Sequence, residues 1–220
     1  MNENLFFFCS TCKNKPEDEL EQTHCNLNYN IKNYKRGEYI AYQGDNVSSL
    51  LILNSGKVKT EMVSDSGLSI PIENISAPYP LAAAFIFADK NKFPVDVIAL
   101  EDCQIIVISK ESLEKQMATC PSFLRGFLAF NANRMQFLSE RLKIFSQRGI
   151  KPKMAYYILQ HSKQGNFTLD RSISSLAEYF GVERPSLSRA ISEMNSDGII
   201  ELKAGNGKIK DYNKLKEVLG

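Results

Sequence analysis

Residues 181–190 read GVERPSLSRA, and Arg184, Ser186, Ser188 and Arg189 within them are the side chains best suited to chemistry with a polyanion. A guanidinium donates two parallel hydrogen bonds to a guanine edge or a phosphate, and a small hydroxyl serves bases or backbone. Pro185 is tolerated only in the first turn of a helix, where its missing N–H costs nothing. A helix therefore starts at about Glu183–Arg184. Leu187, Ala190, Ile191 and Met194 mark its inner face, which leaves the arginines and serines outside. The competing reading is a solvated face of a small helical domain.

The cysteines are the second candidate chemistry. Cys9, Cys12, Cys25, Cys103 and Cys120 make an odd count, in a chain whose 43% apolar content can build cores without disulfides. Reduced, unliganded thiols are the expectation. A zinc site from Cys9, Cys12, His24 and Cys25 stays open beside it, although adjacent ligands such as His24 and Cys25 diverge in regular structure. Motifs for enzymatic chemistry are missing: there is no glycine-rich phosphate loop, GxSxG, HExxH or recognisable carboxylate pair. The chain does not read as an enzyme.

The elements that must position these residues follow from texture. Residues 1–30 read as short helices, with acids crowding the first turn after Pro16. From about 31 to 110, short runs rich in Ile, Val, Leu and Tyr alternate with turns at Gly37, Gly44-Asp45, Asn54-Ser55-Gly56 and Asp65-Ser66-Gly67. That spacing predicts an antiparallel sandwich or barrel. The segment 95–108, VDVIALEDCQIIVI, adds two strands around Glu101-Asp102.

Residues 111–148 are helical, and after Pro121 they carry two apolar stripes in 4-3 steps. One is Leu124, Leu128, Asn131, Met135, Leu138, Leu142 and Phe145; the other is Phe123, Phe127, Phe130, Arg134, Phe137, Arg141 and Ile144. A mean step of about 3.5 residues is the coiled-coil period. Two stripes need two surfaces, so one is expected to cover the β-domain and the other a second copy of the helix. Asn131 then acts as the polar break that sets register. The alternative is a helix wholly buried in its own domain.

Gly149 and Pro152 mark a boundary, and residues 149–220 form a separate module. Ile173, Leu176, Ala177 and Phe180 face inward on a first helix, Gly181 turns the chain, and the Arg184 helix follows. IIELKAGNGKIKDY reads as a two-stranded wing with Lys203, Lys208 and Lys210 on it. The order helix, turn, helix, wing is a winged helix-turn-helix. Charge agrees in sign: residues 151–220 hold 11 Lys and Arg against 8 Asp and Glu, and residues 1–150 hold 16 against 17. With no apolar run of membrane-spanning length and no signal-peptide pattern, a cytoplasmic location is expected.

The whole chain resembles regulators of the cyclic-AMP-receptor/fumarate-nitrate-reduction (CRP/FNR) family. The resemblance is carried by YKRGEYIAYQGDNVSSLLILNSGKVKT, by the long helix, and by GVERPSLSRAISEMNSDGIIE. It implies an α+β fold: an N-terminal double-stranded β-helix (the cyclic-nucleotide-binding-like β-roll) over 1–110, a dimerisation helix over 111–148, and a winged helix-turn-helix over 149–220. It also implies a homodimer on palindromic double-stranded DNA, in contact with RNA polymerase. The implied DNA contacts are Arg184 and Arg189, with Ser172, Ser186, Ser188, Lys203, Lys208 and Lys210. The recognition helix looks like that of an RPSLSR-type subgroup. Pro185 stands where well-known members carry a base-reading glutamate, so a different operator is expected.

For the effector, the resemblance points to residues 76–97. Cyclic-nucleotide-binding members carry Gly-Glu and Arg-Ser or Arg-Thr there; this chain has Pro80-Leu81 and Phe93-Pro94-Val95, and no arginine between Arg36 and Arg125. A buried phosphate without a cation is costly, so cAMP is not the expected ligand. Leu81, Phe85, Phe87, Phe93 and Val95 instead predict a self-filled pocket, or one for an apolar ligand or haem without a histidine from this cassette. Oxygen-sensing relatives hold an iron–sulfur cluster on cysteines, which makes Cys9, Cys12, Cys25 and Cys103 the corresponding set here, with a longer gap before Cys25. Two other readings are a cysteine-liganded redox or metal sensor, and a sensor whose winged helix no longer binds DNA.

Overall fold

The computed structural model describes residues 7–9, 27–64 and 68–219. The predicted N-terminal helices and the Asp65-Ser66-Gly67 turn fall largely outside them, and residues 29 and 30 already belong to a strand. The chain divides into two compact units, Met1–Asn133 and Arg134–Gly220.

The first unit is built from strands β1 (Tyr29–Tyr34), β2 (Tyr39–Ala41), β3 (Ser49–Ser55), β4 (Lys57–Val63), β5 (Ser69–Ser76), β6 (Tyr79–Leu81), β7 (Asp96–Ala99) and β8 (Cys103–Ser109). They form two four-stranded antiparallel sheets, ordered β1-β8-β3-β6 and β2-β7-β4-β5. In β3, Ile52 lies opposite Ile106 and Leu50 opposite Ile108, so β-branched and Leu side chains meet across the ladder. Leu50, Ile52, Ile106 and Ile108 from one sheet and Val58, Val97 and Ala99 from the other share one core. Helix α1 (Lys110–Thr119) follows β8 directly, and its first turn is capped by the Ser109 hydroxyl, which accepts from the Ser112 N–H at 3.2 Å. Pro121 then starts helix α2 (Pro121–Ser146).

The second unit holds the end of α2, then α3 (Ile150–His161), β9 (Asn166–Thr168), α4 (Ile173–Phe180), α5 (Arg184–Ser196), β10 (Ile200–Lys203), β11 (Asn206–Ile209) and α6 (Tyr212–Glu217). Its core joins Ile144 of α2 to Met154, Tyr157, Phe180, Leu187 and Met194. This compact unit begins at Arg134, inside the long helix. The physical reason is the Phe137 and Ile144 side of α2, which packs on α3 and α4 as part of this module's own core. β9 also adds a third strand to the wing, in the order β10-β11-β9. No helix among the described residues is long and apolar enough to cross a membrane.

Candidate nucleic-acid interface

Helix α4 begins at Ser172, whose hydroxyl accepts from the Ser175 N–H at 3.2 Å, and ends at Gly181 with φ 65°. The Val182 N–H returns to the Ala177 carbonyl at 3.0 Å, which closes the helix end through a left-handed residue. Only glycine fits well at 181: besides the positive φ, a Cβ there would lie 2.5 Å from the Phe145 ring. The Glu183 carbonyl then receives the N–H groups of Ser186 and Leu187 at 3.0 and 3.1 Å, which starts α5 with Pro185 in its first turn.

Leu187, Ala190, Ile191 and Met194 are buried, and Arg184, Ser188, Arg189 and Ser192 are exposed, as their spacing predicts. Ser186 is half-buried and its hydroxyl accepts from Arg189 Nη2 at 3.4 Å. At about 100° per residue, five residues separate the two arginines by about 140° around the helix. They border different edges of one exposed face. Arg189 lines an open groove with Ile150, Lys151, Ser186, Ala190 and Glu193. Lys151 pairs there with Glu193 at 2.8 Å, which raises its pKa.

In the wing, Glu201 lies opposite Lys208, and Lys203 opposite Asn206. Glu201 also pairs with Lys210 at 2.8 Å and Lys203 at 3.0 Å, and these two hold its carboxyl down at about 2. Two of the three wing lysines are thus paired with Glu201, and all three are exposed. Sequence reasoning missed this acid, although its alternation with Lys203 on one strand face was a signal for it.

A polar cluster supports α4 from behind. The Tyr157 hydroxyl donates to Asp170, and Arg171 grips the same carboxylate through two nitrogens at 2.8 and 2.9 Å. The Arg171 guanidinium lies 4.3 Å from the Tyr179 ring centre. Arg171, and then Tyr157, hold the Asp170 carboxyl well below the usual carboxylate range; burial, followed by the bond to Asp170, pushes the Tyr157 hydroxyl up to about 12. A depressed folded pKa gives stability that is complete above the unfolded value of about 3.9 and is lost as pH falls below it. Asp170→Asn is expected to lower the thermal midpoint of this unit at pH 7 and to shrink its loss of stability between about pH 4 and pH 2. Thermal unfolding across that range in both proteins checks it, and parallel pH profiles would reject the assignment.

Along α2 the two stripes separate. Phe123, Phe127 and Ile144 are buried, and Phe130, Arg134, Phe137 and Arg141 are half-buried. The other stripe faces outward: Leu128 is 58% exposed, Met135 68% and Leu142 69%, with Leu124 and Leu138 also exposed. Asn131 donates from Nδ2 to the Phe127 carbonyl at 2.8 Å, while its buried Oδ1 has no hydrogen-bond partner among the described residues. Phe145 differs from its stripe, since its ring also lies by Gly181 and under the cations of Arg141 and Lys153.

A model of the cyclic nucleotide-binding domain matches residues 31–120, and a model of the Crp-like helix-turn-helix domain matches residues 152–218. Together they account for most of the chain, in the order in which the two units were built above. The chain belongs to the CRP/FNR family. This transcription regulator is 23% identical over 186 residues to the cyclic AMP receptor protein of Thermus thermophilus, covering 84% of this chain and 86% of that one. It is 23% identical over 194 residues to the transcriptional activator protein FnrA of Stutzerimonas stutzeri, covering 84% and 79%. The solved catabolite activator protein of Thermus thermophilus shares the fold, with a TM-score of 0.52, 19% identity and 98% of each chain covered.

Within this family member, the five residues expected to line an effector pocket have different surroundings. Leu81 and Phe93 are buried in the β-roll core, Phe85 and Val95 are half-buried, and Phe87 is 41% exposed beside Lys110. Asp96, next to Val95, is buried and accepts from the Gln43 N–H at 2.6 Å. Of the cysteines, Cys12 and Cys25, like His24, lie outside the described residues. The Cys103 thiol faces the Lys57 and Glu101 carbonyls at 3.2 Å, and burial pushes its pKa up. The sulfur recorded beside Cys9 is that of Cys120 rather than Cys103. Among the described residues no three His, Cys, Asp or Glu side chains are grouped to hold a metal ion.

Proposed function

We propose that this CRP/FNR-family regulator works in the cytoplasm as a homodimer that reads a palindromic operator through α5 and contacts RNA polymerase there. The observation that carries the reading is the split of α5 into a buried apolar side and an exposed side bearing Arg184, Ser188 and Arg189. A helix presents such a side to the major groove, with bases read near its N-terminus. Ser172, Ser186, Lys203, Lys208 and Lys210 serve as further contacts to backbone or bases. The exposed stripe of α2 supports the dimer, since apolar side chains so regularly spaced gain by meeting a second copy.

Selection of bound sequences from random duplex DNA by the purified protein tests the reading. A two-fold symmetric site with half-sites about 34 Å apart is expected, and its affinity falls steeply with salt. Binding that ignores sequence at every salt concentration rejects it. At the wing, Glu201→Gln is expected to strengthen binding to all duplexes several-fold and to steepen the salt dependence, because it releases Lys203 and Lys210 to phosphates. A titration against salt with operator and random DNA checks this.

The effector is not a cyclic nucleotide in this reading. The cassette offers apolar side chains and the buried Asp96 carboxylate, with no guanidinium to meet a cyclic phosphate. Calorimetric titration with cyclic AMP is expected to show no binding heat. Nor does the reading call for an iron–sulfur cluster or zinc, so protein purified without oxygen should be colourless, metal-free and competent for DNA.

A further inference from the structure

Three residues of the N-terminal segment, Phe7, Phe8 and Cys9, are held against the start of α2. The Phe8 ring meets Phe123, Phe127 and Phe130 edge-on, with centroids 5.6, 5.1 and 5.5 Å away. Its backbone sits over Gly126, where a Cβ would fall 1.8 Å from the Phe8 carbonyl oxygen. That contact excludes any side chain at 126 and fixes the segment's height on the helix. Cys9 is thereby fully buried, with its Sγ 3.9 Å from Sγ of Cys120. Cys120 is fixed as well: its N–H donates to the Gln116 carbonyl at 2.9 Å, and its carbonyl accepts from the Leu124 N–H at 3.1 Å. Neither sulfur is shared with the DNA-reading face or the exposed stripe.

We infer that Cys9 and Cys120 are a modification site, a dithiol that a hydroperoxide converts to a reversible intrachain disulfide. A disulfide needs its sulfurs about 2.05 Å apart, so side-chain rotation has about 2 Å to close between two anchored backbones. Cys120 is the half-exposed partner and meets the oxidant first. Its sulfur attacks the peroxide oxygen, the O–O bond breaks, and Cys120 becomes a sulfenic acid as the peroxide leaves as alcohol or water. The Cys9 sulfur then attacks the Cys120 sulfur; the S–S bond forms, the S–O bond breaks, and hydroxide leaves as water with the Cys9 proton. Two thiols are oxidised and one peroxide is reduced. The product ties Phe7–Cys9 to the head of α2 covalently. Cys103 is the internal control, because its buried thiol faces backbone carbonyls and its pKa is raised.

The test treats the full chain with hydrogen peroxide, blocks remaining thiols, and digests without reductant. Trypsin leaves Cys9 and Cys12 on peptide 1–13 and Cys120 on peptide 116–125. The expected result is a 1–13/116–125 cross-link, assigned to Cys9 by fragmentation, that dithiothreitol reverses and that persists in Cys12→Ser. In Cys9→Ser the cross-link should be lost, and Cys120 should instead label with a sulfenic-acid reagent. Cys103 should stay alkylatable after denaturation throughout. A Cys9–Cys12 bond in the native chain, a Cys120–Cys120 bond between chains, or Cys120 carried straight to sulfinic acid would overturn the proposal. So would a metal ion in the purified protein that is lost in both Cys9→Ser and Cys120→Ser.

Discussion

Met135→Glu combined with Leu142→Glu is expected to turn the regulator into a monomer at micromolar concentration, with both units still folded. The two side chains are 68% and 69% exposed in the single chain, so their own fold contributes little to holding them. Surface changes of this kind usually move stability by no more than about 0.5 kcal/mol. In a dimer the same positions face their copies, and burying each Leu or Met contributes about 1.5–3 kcal/mol. Replacing both with carboxylates removes that term on both helices and sets like charges against each other along the seam. Loss of the dimer also separates two half-site readers, and linked readers gain about 10²–10⁴-fold in avidity over one alone. Operator affinity should fall by a factor in that range. Sedimentation and operator titration on the same samples check both parts, with circular dichroism reporting the fold. A variant that still sediments as a dimer would place the dimer contact elsewhere.

Arg184→Ala is expected to weaken operator binding by about 1–3 kcal/mol and to relax preference at one base pair of each half-site. Arg184 is exposed in the first turn of α5, and truncating it leaves the buried side of the helix intact. Lys208→Ala provides the contrast. It should weaken operator and random duplex alike and lower the salt slope by about 1, as a lost phosphate contact does. Competition between operator and single-base variants separates the outcomes. Equal operator affinity of Arg184→Ala and the parent would remove Arg184 from the reading face. Arg189 is a separate case: it borders the other edge of the face, with Ser186 and the groove beside Lys151. Removing it is therefore expected to leave the base preference set by Arg184 unchanged.

Local rules decided much of this protein before any tertiary contact was known. Pro185 could only open a helix, and apolar residues in 3- and 4-residue steps could only line one side of it. Gly181, with glycine's access to positive φ, marked the turn. The strands of the β-roll were announced by turn residues at short intervals, and the two stripes of α2 by their period. These features depend on backbone sterics and on near neighbours in sequence, so they can be read from the chain alone. Four others depend on which distant side chains meet. Glu201 tempers the wing because β10 and β11 bring Lys210 beside it. The second unit starts at Arg134 because Ile144 packs in its core. Leu81 and Phe93 became core while Phe87 came to the surface, although the family resemblance had grouped all three as pocket lining. Cys9 lies beside Cys120, at a sequence separation of 111, because an aromatic cluster and Gly126 seat the N-terminal segment on α2. Periodicity gives a side chain its face but not the partner across from it, and charge, burial and thiol pairing are properties of that partner.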